Sequence, residues 1–191
     1  MKACAIALAL IAMAAPTAFA QTAPAIGSSA EMSRLYEADQ ADRKSLFTAD
    51  WAVVRKNDSE RRARTKALLD AGALHSAEDY RQAAFVFQHG DAADDYLMAH
   101  TLAMIAVEKG DASALWIASA SLDRFLHAIG RPQIYGTQYA LPADKPEVTQ
   151  EPYDRSLISD AIRRDLGVPD MAQQRQRMLD YLAEQKLSKK P

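Results

Sequence analysis

The sequence predicts an all-α protein with about six short helices in antiparallel hairpins, forming a helical bundle or a short solenoid-like array. Apolar residues recur at helical spacing, and no segment shows the sustained alternation that a half-buried strand requires. Glycine stands at positions 90, 110 and 130, where it can end a helix, and Asp91 and Asp111 can cap the next one. This spacing predicts antiparallel helices over residues 91–109 and 111–129, joined by short turns.

The first twenty residues have the features of a cleavable signal peptide. Lys2 supplies a positive charge, and the apolar run after it is shorter than the roughly 20 residues that span a bilayer. Residues 18–20 form the small-x-small motif of a cleavage site. We therefore expect cleavage after Ala20 and a periplasmic or secreted protein. A lipid anchor is disfavoured because the only cysteine, Cys4, lies far upstream.

Composition limits what the mature chain can do. Removing 20 leader residues from 191 leaves 171, a length that suits one domain. We assign residues 21–29 to a flexible linker, residues 30–187 to a single all-α domain, and residues 188–191 to a frayed tail. The mature chain has 22 basic and 25 acidic residues and no cysteine. These counts exclude disulfides and thiolate chemistry and argue against nucleic-acid binding, and no second apolar run predicts a membrane span.

Two helices are predicted in the N-terminal part of the domain. The first covers about residues 30–54, with a break near Asp50. The second follows Asn57 and Asp58, either of which can cap it, and ends before Gly72.

A third helix and a central one follow. Ser76 and Asp79 form a capping box that starts the third helix, which ends at Gly90. Residues 96–107 are apolar almost all round, which predicts a helix buried on most sides.

The C-terminal part begins with a long polar and aromatic segment, GRPQIYGTQYALP at residues 130–142, which we call the YGTQ loop. An extended, proline-rich stretch comes next. Two further helices are predicted, one over about residues 154–166 that Gly167 ends, and one that starts at Asp170 behind Pro169.

His89 is the first candidate for chemistry. In a purely structural interpretation, His89 stands at the end of the third helix because its charged form interacts favourably with the helix dipole. Asp91 then serves only as the N-cap of the next helix. Alternatively His89 is a general base whose ring is oriented by Asp91 or Asp123, and these three are the candidate catalytic residues. No HExxH, His-x-His or phosphate-binding motif occurs, so we predict no metal and no cofactor.

A second group of side chains suits ligand binding. Arg124 either pairs with an acid from a neighbouring helix or holds an anionic ligand. The amides and hydroxyls of the YGTQ loop either satisfy the loop's own backbone or form a wall for a polar ligand. The candidate ligand-binding residues are Gln88, Arg124, Gln133, Tyr135, Thr137 and Gln138.

Several motifs occur in a fixed order: QHGD at residues 88–91, LDR at 122–124, QIYGTQ at 133–138 and DAIRRDLGVP at 160–169. Together with DQADR at residues 39–43 they resemble a bacterial family of unknown function marked by QH-x-D, L-DR and QxYGTQ motifs. The resemblance covers about residues 30–170 and implies an exported, all-helical protein whose motif residues belong to one pattern. This chain departs from it with Gly90 in place of alanine.

These observations lead to a binding or interaction module with a polar pocket under the YGTQ loop, lined by His89, Asp123 and Arg124. The partner is an unknown small polar ligand or a protein. One alternative is a hydrolase with His89 as base and Tyr135 or Gln138 stabilising a developing charge. In a second alternative the motif residues are purely structural. The spatial expectation is that Tyr135 and Gln138 lie near His89 and Asp123.

Overall fold

A computed structural model describes residues 27–44, 49–140 and 148–188. Over these residues the chain is all-helical, as the sequence predicts, with only two isolated β-bridges. The helices are α1 Ala30–Ala41, α2 Trp51–Asp70, α3 Ala77–Phe87, α4 Ala93–Glu108, α5 Ala114–Ala128, α6 Asp160–Asp165 and α7 Met171–Ser188. The predicted signal peptide, residues 21–26 of the linker and the last three residues lie outside the described residues.

The core lies where α3, α4 and α5 pack together, with α1 and α2 on the α3 side. On α4, Ala99, Ala103 and Ala106 are fully buried, and their spacing places them on one helix face. Small side chains at this contact let the neighbouring backbones approach closely. The predicted antiparallel pair over residues 91–109 and 111–129 corresponds to α4 and α5.

The boundary between the first two helices differs from the prediction. Asp50 caps α2 by accepting hydrogen bonds from the backbone N–H groups of Ala52 and Val53. Asn57 and Asp58 therefore lie inside α2, and the prediction that they cap a helix is wrong. Their side chains instead bind charged groups at the end of α1, a contact that local sequence does not reveal.

The start of α3 agrees with the sequence. Ser76 and Asp79 form the predicted capping box. The buried Asp79 carboxylate also accepts hydrogen bonds from the backbone N–H groups of His75 and Ser29. Ser29 belongs to the predicted linker, yet it caps α1 and joins that helix to α3.

The turn between α3 and α4 is built differently from the prediction. Gly90 does not have a positive φ angle, and the Asp95 side chain lies so close that a Cβ at position 90 would overlap it. Asp95, rather than Asp91, accepts hydrogen bonds from the N–H groups of residues 91 and 92 before α4. Asp91 is therefore not the cap of α4.

Helix α4 is less buried than its composition suggests. Leu97, Met98 and Met104 are 40–48% exposed, so the prediction of burial on most sides is wrong. The buried residues of α4 share one helix face, and α4 packs against α3 and α5. The apolar sequence of α4 therefore did not show which of its faces is buried and which is exposed to solvent.

The last two helices frame the YGTQ loop. Helix α6 is shorter than predicted because Ser159 caps it, while Asp154 holds a turn through the N–H group of Ser156. Helix α7 begins where expected, with the Asp170 carboxylate accepting hydrogen bonds from the first turn. Among the described residues, no helix combines the length and apolar character needed to cross a membrane.

Candidate functional site

Asp123 fixes the YGTQ loop onto α5. Its side chain is fully buried, and Oδ1 accepts hydrogen bonds from the N–H groups of Ile134 at 2.8 Å and Tyr135 at 3.0 Å. Oδ2 accepts from the N–H group of Thr137 at 3.0 Å and from its hydroxyl at 2.8 Å. Four donors occupy the carboxylate, so Asp123 positions the loop and does not line an open pocket.

Gln133 gives the loop a second internal anchor. Its fully buried side chain accepts a hydrogen bond from the N–H group of Gln138 at 2.9 Å and donates one to the Gln138 carbonyl at 3.0 Å. It also donates to the carbonyl of Gln150, seventeen residues further along the chain. Gln133 therefore satisfies buried backbone groups on both sides of the loop, as one of the two sequence interpretations expects.

Gly136 is required at the tip of the loop for two reasons. Its φ angle of 80° is unfavourable for other residues. A Cβ at this position would also overlap the side-chain amide of Gln174 and the hydroxyl of Tyr153. Helix α7 and the segment around Tyr153 thus pack directly on the loop backbone.

Tyr135 contributes to the loop mainly through its backbone. Its carbonyl accepts hydrogen bonds from the Gln174 amide at 2.9 Å and the Tyr153 hydroxyl at 3.3 Å. Burial raises the pKa of the Tyr135 phenol, and the nearby Asp123 carboxylate raises it further. The Tyr135 hydroxyl therefore stays protonated at neutral pH.

A cleft of about 240 Å³ lies between α5, the YGTQ loop and α7. We call it the Arg124 cleft. It gathers four of the predicted ligand-binding residues from three separate motifs, namely Gln88, Arg124, Thr137 and Gln138. Aromatic side chains also line it: Trp116, Tyr139 and Tyr181. Such a mixture of aromatic rings and a few converging polar groups is typical of small-molecule sites.

Arg124 is largely buried and poorly satisfied. Its guanidinium donates one long hydrogen bond, of 3.4 Å, to the Gln88 carbonyl, and its buried Nε has no partner among the described residues. No carboxylate of the described residues lies within salt-bridge distance of it. Burial lowers the pKa of the Arg124 guanidinium, and repulsion from Arg43 lowers it further. Arginine nevertheless stays charged, because its ordinary pKa is far above neutral.

Tyr139 lines the same cleft and holds a second unsatisfied donor. Its hydroxyl is buried without a hydrogen-bond partner in the described part of the chain. Burial raises the pKa of this phenol to about 12, so the hydroxyl keeps its proton. The ring packs edge-on against Tyr181, with the ring centres 5.4 Å apart.

His89 is hydrogen-bonded to α1 and not to the YGTQ loop. Its Nδ1 lies 2.9 Å from Oδ1 of Asp39, whose side chain is fully buried. Asp91, the predicted partner, is exposed and pairs with Arg62 at 3.0 Å. No hydrogen bond between described residues joins His89 to Tyr135 or Gln138. The structure therefore brings the loop to Asp123 and Gln88 but leaves His89 in a separate group.

That group is a charge cluster at the junction of α1, α2 and α3, formed by Asp39, Asp42, Arg43, Asp58, Arg61 and His89. Arg43 bridges Asp39 at 3.1 Å and Asp58 at 2.7 Å. Arg61 bridges Asp58 at 2.6 Å and Asp42 at 2.8 Å. Burial raises the pKa of the Asp58 carboxyl, but hydrogen bonds from both arginines outweigh this and lower it overall. Sequence reasoning missed this cluster, although the DQADR motif supplies three of its members.

The charge cluster makes stability depend on pH through His89. Burial lowers the pKa of this imidazole below its usual 6.5; the hydrogen bond to Asp39 opposes the shift, and repulsion from Arg43 and Arg124 adds to it. As the pH falls below about 7, the unfolded chain binds a proton at residue 89 before the folded protein does, so wild-type stability decreases. His89→Gln removes this contribution. We therefore expect the advantage in unfolding free energy of wild type over His89→Gln to become smaller from pH 7.5 to pH 5.5. Urea titrations at both pH values measure it. A constant or larger difference at pH 5.5 would contradict the lowered pKa of His89 in the folded protein.

Comparison of the chain with protein-family models, curated proteins and solved structures finds no significant match. The resemblance to the QxYGTQ family stays a prediction.

Proposed function

We propose that the protein is a binding module that holds a small polar ligand in the Arg124 cleft. The observation that carries this proposal is that two residues lining one cleft each hold a buried donor without a partner, Nε of Arg124 and the hydroxyl of Tyr139. Leaving a buried donor without a partner costs about 1–3 kcal/mol for each group. A ligand that accepts hydrogen bonds from both groups removes this cost.

The construction of the loop supports the same proposal. Asp123 accepts hydrogen bonds from the backbone and the hydroxyl of Thr137, and Gln133 holds the Gln138 backbone, so both residues are fixed before a ligand arrives. Gln138 is held further by donating to the Ala120 carbonyl at 3.1 Å. A preorganised wall lowers the entropic cost of binding.

Small-molecule capture tests the proposed function. Purified protein is incubated with a low-molecular-weight cell extract and passed through a desalting column, and retained compounds are identified by mass spectrometry. We expect a compound that wild type retains and Trp116→Ala loses. Trp51→Ala is the matched control, because Trp51 is exposed to the same degree, 42% against 40%, but lies on α2 away from the cleft. Equal retention by all three proteins, or none by wild type, would refute the proposal.

A hydrolase is the second candidate, favoured by the Asp39–His89 pair. A carboxylate holds one ring nitrogen of an imidazole whose pKa is lowered, as suits a general base at neutral pH. Asp39 takes the orienting role that was predicted for Asp91 or Asp123. A panel of chromogenic esters tests it: hydrolysis that His89→Gln abolishes supports an enzyme, and equal rates with both proteins exclude this use of His89.

We also propose that the chain is exported, on the strength of its first twenty residues. N-terminal sequencing of protein from the periplasmic fraction should begin at Gln21. Intact protein that begins at Met1 and remains in the cytoplasm would overturn export.

A further inference from the structure

We infer that the ligand of the Arg124 cleft is a ring compound bearing an oxyanion, a carboxylate or a phosphate, which pairs with the Arg124 guanidinium. This inference rests on the proposed binding function and adds the charge and shape of the ligand. Three features support it: the charges along the cleft, the isolation of Arg124, and the arrangement of the aromatic rings.

The charges that line the cleft are all positive. Arg124 and Arg177 both contribute to its wall, and no aspartate or glutamate does. The whole chain has slightly more acidic than basic residues, 25 against 23, so a cleft with only cationic charges does not follow from composition. A positive, partly enclosed site attracts anions and repels cations.

Arg124 differs from the other buried arginines of the described chain. Arg43 pairs with two carboxylates, Arg61 with three, and Arg163 with that of Asp160. Arg124 has none, although it is mostly withdrawn from water. A buried charge without a counterion is costly, and a planar guanidinium is well matched to two oxygens of a carboxylate or phosphate. The missing partner is therefore best supplied by a ligand.

The position of Arg124 leaves two surfaces from which an anion can reach it. It also borders a more open cleft with Tyr96 and His127, but that wall includes the Asp91 carboxylate, which opposes an anion. The acid-free side toward Gln138 and Tyr139 is the favourable one.

The rings in the cleft favour a cyclic ligand. Trp116 and Tyr181 are partly exposed and offer apolar surfaces to a ligand, and the ring of Tyr139 lines the cleft beside them. Aromatic side chains beside hydrogen-bonding amides suit the apolar and hydroxyl faces of a sugar ring. An acidic sugar or a sugar phosphate therefore fits both the charge and the shape.

Three sugars that differ only at C6 test the inference: glucose, glucuronate and glucose 6-phosphate. Each is titrated into ¹⁵N-labelled protein while the arginine Nε–H signals are recorded, with the Arg124 signal assigned from its loss in Arg124→Lys. We expect at least one of the two acids to shift the Arg124 signal and to bind about tenfold or more tighter than glucose, as a charge-assisted hydrogen bond provides. Whichever acid binds more tightly identifies the source as carboxylate or phosphate.

Two outcomes would overturn the inference. If all three sugars bind equally and shift the Trp116 indole but not Arg124, the cleft binds sugars without using the charge, and the proposed function survives alone. If no acid shifts Arg124 at concentrations up to tens of millimolar, the oxyanion assignment is wrong. The capture experiment with Trp116→Ala and Trp51→Ala then decides separately whether the cleft binds anything.

Discussion

Replacing Asp123 with alanine should lower the free energy of unfolding by about 3–5 kcal/mol. Asp123 is fully buried and accepts three backbone hydrogen bonds and one hydroxyl hydrogen bond from the YGTQ loop. Its removal leaves those backbone N–H groups without an acceptor. Urea unfolding followed by circular dichroism measures the loss.

A graded series makes this prediction sharper. In Asp123→Asn the side-chain carbonyl can still accept from Ile134 and Tyr135, whereas the new NH₂ group faces the N–H group of Thr137. We therefore expect a loss smaller than that of Asp123→Ala but still measurable. Asp165→Ala, at an exposed position, is the control and should stay within about 0.5 kcal/mol of wild type. A loss below about 1 kcal/mol in Asp123→Ala would show that the loop does not depend on this carboxylate.

Replacing Asp39 with alanine is expected to cost a similar amount, about 3–5 kcal/mol, for a different reason. Asp39 is fully buried and joins Arg43, at 3.1 Å, to the His89 ring, at 2.9 Å. Without it the charge cluster keeps both arginines but loses one of its buried negative charges. Breaking one side of a buried ion pair costs more than the pair itself contributes, because the remaining charge stays out of water.

Glu37→Ala is the matched control for Asp39→Ala. It removes a carboxylate from the same helix, two residues away, at an exposed position. Its effect on the midpoint of urea unfolding should be within error, while Asp39→Ala shifts the midpoint strongly at pH 7.5. Equal effects of the two substitutions would mean that the charge cluster does not stabilise the junction of α1, α2 and α3.

The parts of the fold that the sequence predicts are those set by local interactions. The Ser76–Asp79 capping box and the start of α7 behind Asp170 depend on residues within one turn, so the pattern was sufficient. Asn57, Asp58 and Asp91 have the same chemistry as helix caps, yet tertiary contacts recruit them elsewhere. A short polar side chain serves equally well as a cap or as an ion-pair partner, and only the packed structure decides between these roles.

The candidate site shows the same division. The QxYGTQ pattern located the loop, and the adjacent residues Asp123 and Arg124 were both candidates. Consecutive residues on a helix point about 100° apart, so Asp123 enters the loop while Arg124 enters the cleft. Tyr139 is one of the loop side chains that could form a ligand wall, although it is not among the candidate ligand-binding residues; Trp116 lacked a motif and was missed. The pairing of His89 with Asp39, fifty residues earlier, had no local signal beyond the DQADR motif.

The free energy of unfolding of Arg124→Met, measured without ligand, tests most directly whether Arg124 serves a ligand or the fold. Arg61→Met is the matched control, because the same change there leaves Asp58 and Asp42 without one of their partners. If the role of Arg124 is to bind an anion, Arg124→Met should be as stable as wild type or up to about 1 kcal/mol more stable. Arg61→Met should instead lower the free energy of unfolding by about 3–5 kcal/mol. A loss in Arg124→Met comparable to that of Arg61→Met would contradict the proposed ligand site and make Arg124 a structural residue.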